Sequence, residues 1–476
     1  MAKGKHEKEK ETETQDRSGG WKLANIAVTV SLFIGITVAL LVLERPTVSY
    51  TEKRPLAAFP EFSIEKFFSG EYTDAITEWF DDTVPWRDGF KDISARIVKH
   101  MGISPGGVTI YGMPSEVGNS SAPENKPDPS VTENSGTGTT AEAGKDPGNT
   151  TVTDNAQNTT PAETTAPPFE VGAAQDMSES NGYLVYMNPA DGRYYGIVLY
   201  AGGYNENHFI QYVNAFAEDL GDGIQTYVMV APTSGEFYTP SNYAGYNASQ
   251  MEDIQYIAAG LNSNIISIDC VTPLSQHLAE PIYCRTDHHW QPLGAYYAAQ
   301  AFAKAAGVPF ADISTFEERH VPGFLGTIYG ETMSADLLND PDDFVYYVPP
   351  NDFKAYYYDT AYNFDNIYPF FLKYDQEKYP GSAYSTFMGA DNKIVRVETD
   401  VDNGRILAVF KDSYGNAEIP FYMNSFEEIY VLDIRYFDLN AIDFLKEHGV
   451  TDVLFSMNIH SAAGGNAEGI DRIRTQ

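Results

Sequence analysis

The chain is 476 residues long, carries a formal net charge of −35 and contains only two cysteines. Binding to nucleic acid by counterion release needs a basic footprint, so nucleic acid is excluded as a partner; an acidic surface also repels anionic lipid, so broad contact with a bilayer face is not expected. The length suits two domains or one large domain with extensions, and the 33 tyrosines suit sugars or wet interfaces as well as an ordinary aromatic core.

The N-terminus holds "LANIAVTVSLFIGITVALLVL", Leu23–Leu43, an uncharged apolar run long enough to cross a bilayer as a helix. No small-x-small cleavage site follows it. Lys3, Lys5, Lys8, Lys10, Arg17 and Lys22 precede it, while only Arg45, Lys53 and Arg54 follow closely. This bias predicts a cytoplasmic tail over 1–22, a single-pass signal anchor over 23–43 in the cell membrane, and an extracellular remainder, with Trp21 at the interface. A cleaved signal is the alternative. Cys270 and Cys284 then lie in an oxidising compartment, where a disulfide between them is expected to fix the approach to Asp287; two buried thiols are the alternative.

Apolar residues at helical spacing around Phe67, Ile76, Phe80 and Ile93 predict helices after the anchor. Residues 114–180 are rich in Thr, Asn, Pro, Glu and Gly, and their composition predicts disorder. The strand-like runs "GGVTIYG" and "NGYLVYM" flank this segment, so it is read as an insertion at the tip of one hairpin, where added length costs little. The segments 47–113 and 181–472 then form one domain. Beyond the insertion, "YYGIVLYAG", "TYVMVAP", "NIISID", "RILAVFKDS", "EEIYVLDI" and "DVLFSMN" read as strands. Helical runs alternate with several of them, at "ENHFIQYVNAFAEDL", "SQMEDIQYIAAGL", "PLGAYYAAQAFAKAAG" and "LNAIDFLKEHG". Nearly all-apolar strands alternating with amphipathic helices predict an α/β fold with a mostly parallel sheet covered on both faces. Residues 316–397 break this rhythm and are expected to make an excursion over the sheet edge.

Function in such a sheet gathers where strands end. Ile406–Phe410 runs into Asp412-Ser413-Tyr414-Gly415, so Ser413 stands at a strand end beside backbone N–H groups of the following turn; a simple helix cap is the alternative. A serine nucleophile needs a base and an orienter, and "TDHHW" offers both. Asp287 can hold His289 through one ring nitrogen while the other faces Ser413, leaving His288 for packing or substrate contact. The same Asp-His-His cluster is also a tolerable metal signal, and Asp287 capping the helix at Pro292 is a third reading.

"TDHHW" followed by a Gly-Ala-Tyr-Tyr helix resembles the defining motif of the DHHW protein family of Gram-positive bacteria, which is similar to the alginate O-acetyltransferase group. "TEKRPLAAFPEFS", "VPWRDGF", "GFLGTIYG", "FKDSYGN" and "VLDIRYF" resemble further blocks of that family. The resemblance implies an SGNH-hydrolase-like three-layer α/β/α domain with Ser413 as nucleophile, His289 as general base and Asp287 as its orienter. The departure of "KDSY" from a Gly-Asp-Ser block leaves the oxyanion and substrate contacts among Tyr414, Arg435, Asn458, His288 and Trp290. The implied activity is O-acetyl transfer to a cell-surface or secreted polysaccharide, or O-acetyl ester hydrolysis, with no cofactor or metal. The implied partner is a membrane-bound acyltransferase that exports acetyl groups. A glycan-binding or assembly protein without turnover, and a metal-dependent surface protein, are the alternatives.

Overall fold

The computed structural model describes residues 27–31, 45–49, 54–100, 109–111, 180–358, 366–374, 381–389, 391 and 394–476, with a few single positions between 33 and 43. The expected cytoplasmic tail, most of the Leu23–Leu43 run and the insertion up to residue 179 lie outside them. Among the described residues no helix is long and apolar enough to cross a membrane.

After a short antiparallel ladder between Val48–Ser49 and Arg54–Pro55 come three helices: α1 (Ile64–Ser69), α2 (Glu71–Asp82) and α3 (Arg87–His100). Ser63 caps α1 by accepting the Lys66 N–H, and Gly70, at φ +93°, separates α1 from α2. Strand β1 (Thr109–Tyr111) then pairs antiparallel with β2 (Ser180–Met187), Ile110 opposite Leu184. The two runs flanking the long insertion are thus neighbours in one sheet. β2 pairs in turn with β3 (Tyr194–Tyr200), the "YYGIVLY" run. That run was expected in the parallel sheet; the short Asn188–Arg193 turn returns it onto β2 instead.

The main sheet is built from β4 (Gln225–Ala231), β5 (Ile265–Ser267), β8 (Phe353–Tyr357), β9 (Asn366–Ile367), β10 (Val395–Thr399), β11 (Ile406–Lys411), β12 (Glu428–Asp433) and β13 (Asp452–Asn458). Its order is β9-β8-β10-β12-β11-β13-β4-β5, and the five strands from β12 to β5 run parallel. The strands β8 to β10 from the rhythm-breaking stretch add antiparallel to one edge. The same stretch also contributes a separate hairpin, β6 (Glu317–Phe324) with β7 (Asp342–Val348).

Alternation along each central strand feeds two cores. Leu407, Val409, Val431 and Leu454 face α6 (Val271–Gln276) and α7 (Pro292–Ala306). Ala408, Phe410, Leu432 and Phe455 face α4 (Glu206–Leu220), α5 (Gln250–Gly260), α8 (Ala441–Glu447) and α9 (Glu468–Thr475). The sheet is therefore buried on both sides, which is why its strands are apolar at successive positions. α7 begins with Pro292 in its first turn and ends at Gly307, whose φ of +65° closes the last turn. A Cβ on Gly294 would stand 2.4 Å from the Ile282 carbonyl, so α7 lies this close to the preceding segment only because that residue is glycine.

Cys270 and Cys284 are buried in the same core but remain two thiols. Cys270 donates to the Val230 carbonyl at 3.3 Å and Cys284 to the Trp290 carbonyl at 3.6 Å. The expected disulfide is not formed; the loop that follows Cys284 is closed by backbone bonds from Cys284 to His289 and from Gln291 to Ile282.

Phe216 of α4 meets Phe410 and Phe455 edge-on, with ring centroids 5.4 and 5.1 Å away. Phe216→Ala is expected to lower stability by about 3–5 kcal/mol, read as a shift in the denaturant midpoint with unchanged slope.

Candidate active site

The carboxyl ends of β11, β12, β13 and β4 share one rim, since Lys411 pairs with Asp433 and Ser456, and Asn458 with Ala231. On leaving β11 the chain enters a short 3-10 turn, Ser413–Ala417, capped by Asp412. One Asp412 oxygen accepts the Tyr414 N–H at 2.9 Å, while the other accepts the Asn458 N–H and side-chain amide at 2.9 and 2.7 Å. This buried bridge between two strand ends holds the base of the turn from which Ser413 projects.

The second half is the loop between Ile282 and Gln291. Its two arms pair through Cys284 N–H to His289 O (3.1 Å) and Gln291 N–H to Ile282 O (3.0 Å), so Arg285–His288 are forced into a tight tip. Asp342 fastens that tip: one of its oxygens accepts from the Arg285 and Thr286 N–H groups and from the Thr286 hydroxyl, at 2.7–2.9 Å. The Arg285 guanidinium lies 3.1 Å from the other Asp342 oxygen and donates to Asp340 at 2.8 Å. Burial raises the Asp342 carboxyl above its ordinary value against the opposing pull of Arg285 and Thr286.

Together these elements bring Asp287, His289 and Ser413 into one chain. His289 Nδ1 faces Asp287 Oδ1 at 2.5 Å, and His289 Nε2 faces Ser413 Oγ at 2.7 Å. All three are buried, Asp287 fully and His289 and Ser413 with 4% and 6% of their surface exposed. The second Asp287 oxygen accepts the N–H and hydroxyl of Thr327 at 2.7 and 3.0 Å. Gly326 lies against the carboxylate so closely that a Cβ there would stand 2.2 Å from Asp287. Tyr384 completes the setting: its ring stacks on His289 at 3.7 Å, and its hydroxyl donates to the Ser413 carbonyl at 3.0 Å.

The remaining expected contacts divide differently. The Tyr414 N–H is spent on Asp412, as is one of the two N–H groups of the Asn458 amide. Trp290 is fully buried, and its indole N–H donates to the Tyr414 carbonyl at 3.1 Å, which makes it a pin between the two loops and not a substrate contact. The His288 ring packs 3.9 Å from that of His289, and its carbonyl accepts the Tyr414 hydroxyl at 2.5 Å. Arg435 is bound to Asp433 through two nitrogens, at 2.8 and 2.7 Å, and lies 3.2 Å from Asp391. With Lys411, which contacts both acids, it forms a buried cluster of balanced charge beside the Ser413 turn. Burial works against ionised Asp391, yet Lys411 and Arg435 hold its carboxyl well below the usual range. Thr327 and Gly326 lie in the quoted block "GFLGTIYG", whereas no periodic or motif signal marked Asp342 or Tyr384.

Asp287, His288 and His289 offer one ligand atom each within 4.8 Å of one another and are the group of that kind among the described residues. Their donor set suits a divalent cation, but the two carboxylate oxygens already serve the bonds to His289 and Thr327, and His289 Nε2 the bond to Ser413. A cation would have to compete for those atoms.

The sequence profile described as "DHHW protein" matches residues 52–432. A crystal structure of a DHHW family protein from Eubacterium siraeum is 49% identical, with a TM-score of 0.57, over 60% of this chain and 94% of that one. Bacillus cereus PatB1 with a sulfonyl adduct aligns at 16% identity and a TM-score of 0.48, over 60% of this chain and 97% of that one. The probable alginate O-acetylase AlgJ of Pseudomonas putida is 35% identical over 88 residues, 17% of this chain; the match spans 22% of that relative's length.

Behind the Ser413 turn, Glu418 is fully buried, accepting from Ser456 at 2.7 Å and Tyr422 at 2.8 Å. Burial pushes its carboxyl up to about 8, against the lowering effect of those two bonds. The folded protein holds Glu418 neutral, whereas the unfolded chain ionises it above about 4.5. Its contribution to stability is full below that value and is lost as pH rises towards 8. Glu418→Gln removes this loss, so its melting temperature relative to wild type is expected to rise steadily over that window; a constant difference would contradict the assignment.

Proposed function

The chain belongs to the DHHW protein family, and from that premise we propose that it is a membrane-anchored extracytoplasmic serine O-acetyltransferase, or O-acetylesterase, acting on a cell-surface or secreted polysaccharide. The observation that carries the reading is the run of bonds from buried Asp287 through His289 to Ser413 Oγ. A serine hydroxyl is a weak nucleophile unless a base takes its proton, and this arrangement supplies the base and its orienter. The stretch similar to a probable alginate O-acetylase supports acetyl transfer to glycan. The layered sheet with Ser413 at its carboxyl rim supports an SGNH-hydrolase-like assignment.

In the first half-reaction, Ser413 Oγ bonds to the acetyl carbon of an acetyl ester while His289 Nε2 takes the hydroxyl proton. The bond from that carbon to the donor oxygen then breaks, and His289 returns the proton to the leaving oxygen. In the second, His289 takes a proton from a sugar hydroxyl or from water, whose oxygen attacks the acetyl-serine. Ser413 Oγ leaves and recovers its proton. Asp287 keeps the ring oriented and stabilises the imidazolium formed in both halves. Transferase and esterase differ only in which hydroxyl resolves the intermediate. The Leu23–Leu43 run with its basic leading flank supports anchoring, and an anchor would keep the domain near a membrane-bound acyltransferase that exports acetyl groups.

A metal-dependent reading draws on the convergence of Asp287, His288 and His289; a glycan-binding protein without turnover is the other rival. The full-length protein assayed on p-nitrophenyl acetate separates all three. Ser413→Ala and His289→Ala are each expected to lower turnover by roughly 10³-fold or more, and Asp287→Asn by about 10²–10⁴-fold. Chelator should leave the rate unchanged, and intact mass should show one acetyl group on Ser413. Loss of activity with chelator would favour the metal reading, and absence of both hydrolysis and adduct the binding one.

Gly326→Ala leaves every proposed reacting group in place but drives a methyl group into Asp287. A displacement of this size is expected to lower kcat by roughly 10²-fold with little change in KM, while circular dichroism reports an intact fold.

A further inference from the structure

The helices α1–α3, ahead of the main sheet in the chain, display apolar side chains that the proposed chemistry does not use. Along α3 and its leading turn, Trp86, Phe90, Ile93 and Ile97 follow at intervals of four, three and four residues, so they form one stripe. All four are exposed, Trp86 at 76%. α3 packs on the helix Ala335–Asn339, and the stripe remains outside that contact. Ile64 and Phe67 of α1, with Phe59 and Phe62 just before it, are exposed as well. Trp86 is also held at φ +63°, a conformation costly for a bulky residue. Exposed apolar residues scattered singly need no explanation, but a contiguous patch marks a binding surface.

The position of this face identifies what it meets. The Arg45 guanidinium donates to the Leu40 carbonyl at 3.3 Å and to the Thr83 hydroxyl at 3.0 Å. It also lies over the rings of Trp79 and Phe80, 4.3 and 4.6 Å from their centroids. A second tie joins the Ala57 N–H to Asp82 at 2.8 Å. One side chain thus links the last turn of the Leu23–Leu43 run to α2, three residues before Trp86. If that run spans the membrane, the stripe is held at the level where the span leaves it.

We propose that the exposed face of α1–α3 seats in the outer interface of the lipid bilayer, so that the domain rests against the membrane instead of swinging on a tether. Trp and Phe are the side chains suited to that layer, and an amphipathic helix lies there by burying its apolar stripe. The net charge of −35 opposes broad electrostatic adhesion to anionic lipid, but this contact is narrow and apolar. The inference rests on the anchor reading and extends it from a tether to a fixed orientation of the domain.

The test places the full-length protein in vesicles of phosphatidylcholine and phosphatidylglycerol, with plain or brominated acyl chains. The Trp86 share of the emission is the difference between wild type and Trp86→Phe. Bromination is expected to quench that share, and the paired substitution Ile93→Asp with Ile97→Asp to restore it. A Trp86 share indifferent to bromination overturns the proposal. So does a photoreactive residue at Phe90 that, in cell membranes, crosslinks to protein alone, which would identify a protein partner as the occupant. Alkaline extraction reports the anchor separately: extraction of the protein with Trp86 still quenched would sink the anchor reading and leave the interfacial contact standing.

Discussion

The candidate site depends on how one buried carboxylate is satisfied. Asp287 has no exposed surface, and a charge removed from water is tolerated only when fixed donors surround it. Among the donors to it are the backbone and ring of His289 and the backbone and hydroxyl of Thr327. Two of these donors lie two residues away and two lie forty residues away. The "TDHHW" loop can therefore hold its geometry only when the 326–327 segment is folded against it, and Gly326 permits that approach because it carries no side chain.

The same logic recurs on the serine side. Asp412 is buried and accepts from the Tyr414 N–H and from Asn458, which in turn caps the next helix through the His460 and Ser461 N–H groups. Next to it, Lys411, Arg435, Asp391 and Asp433 balance one another out of water. Removing one member would leave an uncompensated charge, so these groups lock the strand ends into one arrangement. Tyr384 joins the two sides, its ring on His289 and its hydroxyl on the Ser413 carbonyl. The two loops that meet at the His289–Ser413 bond are also pinned to each other, by the Trp290 indole on the Tyr414 carbonyl and the Tyr414 hydroxyl on the His288 carbonyl, which suits a reaction sensitive to fractions of an ångström.

Much of the framework was legible because the physics involved is local. Apolar runs at period two or 3.6 placed the strands β4, β5, β11, β12 and β13 and the helices α4, α5, α7 and α8 within a few residues. Composition predicted disorder over 114–180, nearly all of which lies outside the described residues; the pairing of Ile110 with Leu184 makes the two runs that flank it neighbours. The assignment of Tyr194–Tyr200 to the parallel sheet failed because an apolar run looks alike in either kind of sheet; the turn before it decides. The expected disulfide failed because two cysteines near each other in sequence sit in one core with their thiols turned to different backbone carbonyls, Cys270 to Val230 and Cys284 to Trp290.

What the sequence by itself determined was the chemistry available: a serine at a strand end, an Asp-x-His pair elsewhere, and an apolar run with a basic leading flank. These are properties of residue type and near-neighbour spacing, which the chain carries before it folds. Only the tertiary structure decided that Ser413 and His289, 124 positions apart, stand 2.7 Å from one another. It also decided that Tyr414, Asn458, Arg435 and Trp290 brace the site. Whether a polar group is offered to a substrate or consumed by the protein depends on which distant groups are packed against it, and Asp342, Tyr384 and Thr327 reach their partners only through the folded sheet rim.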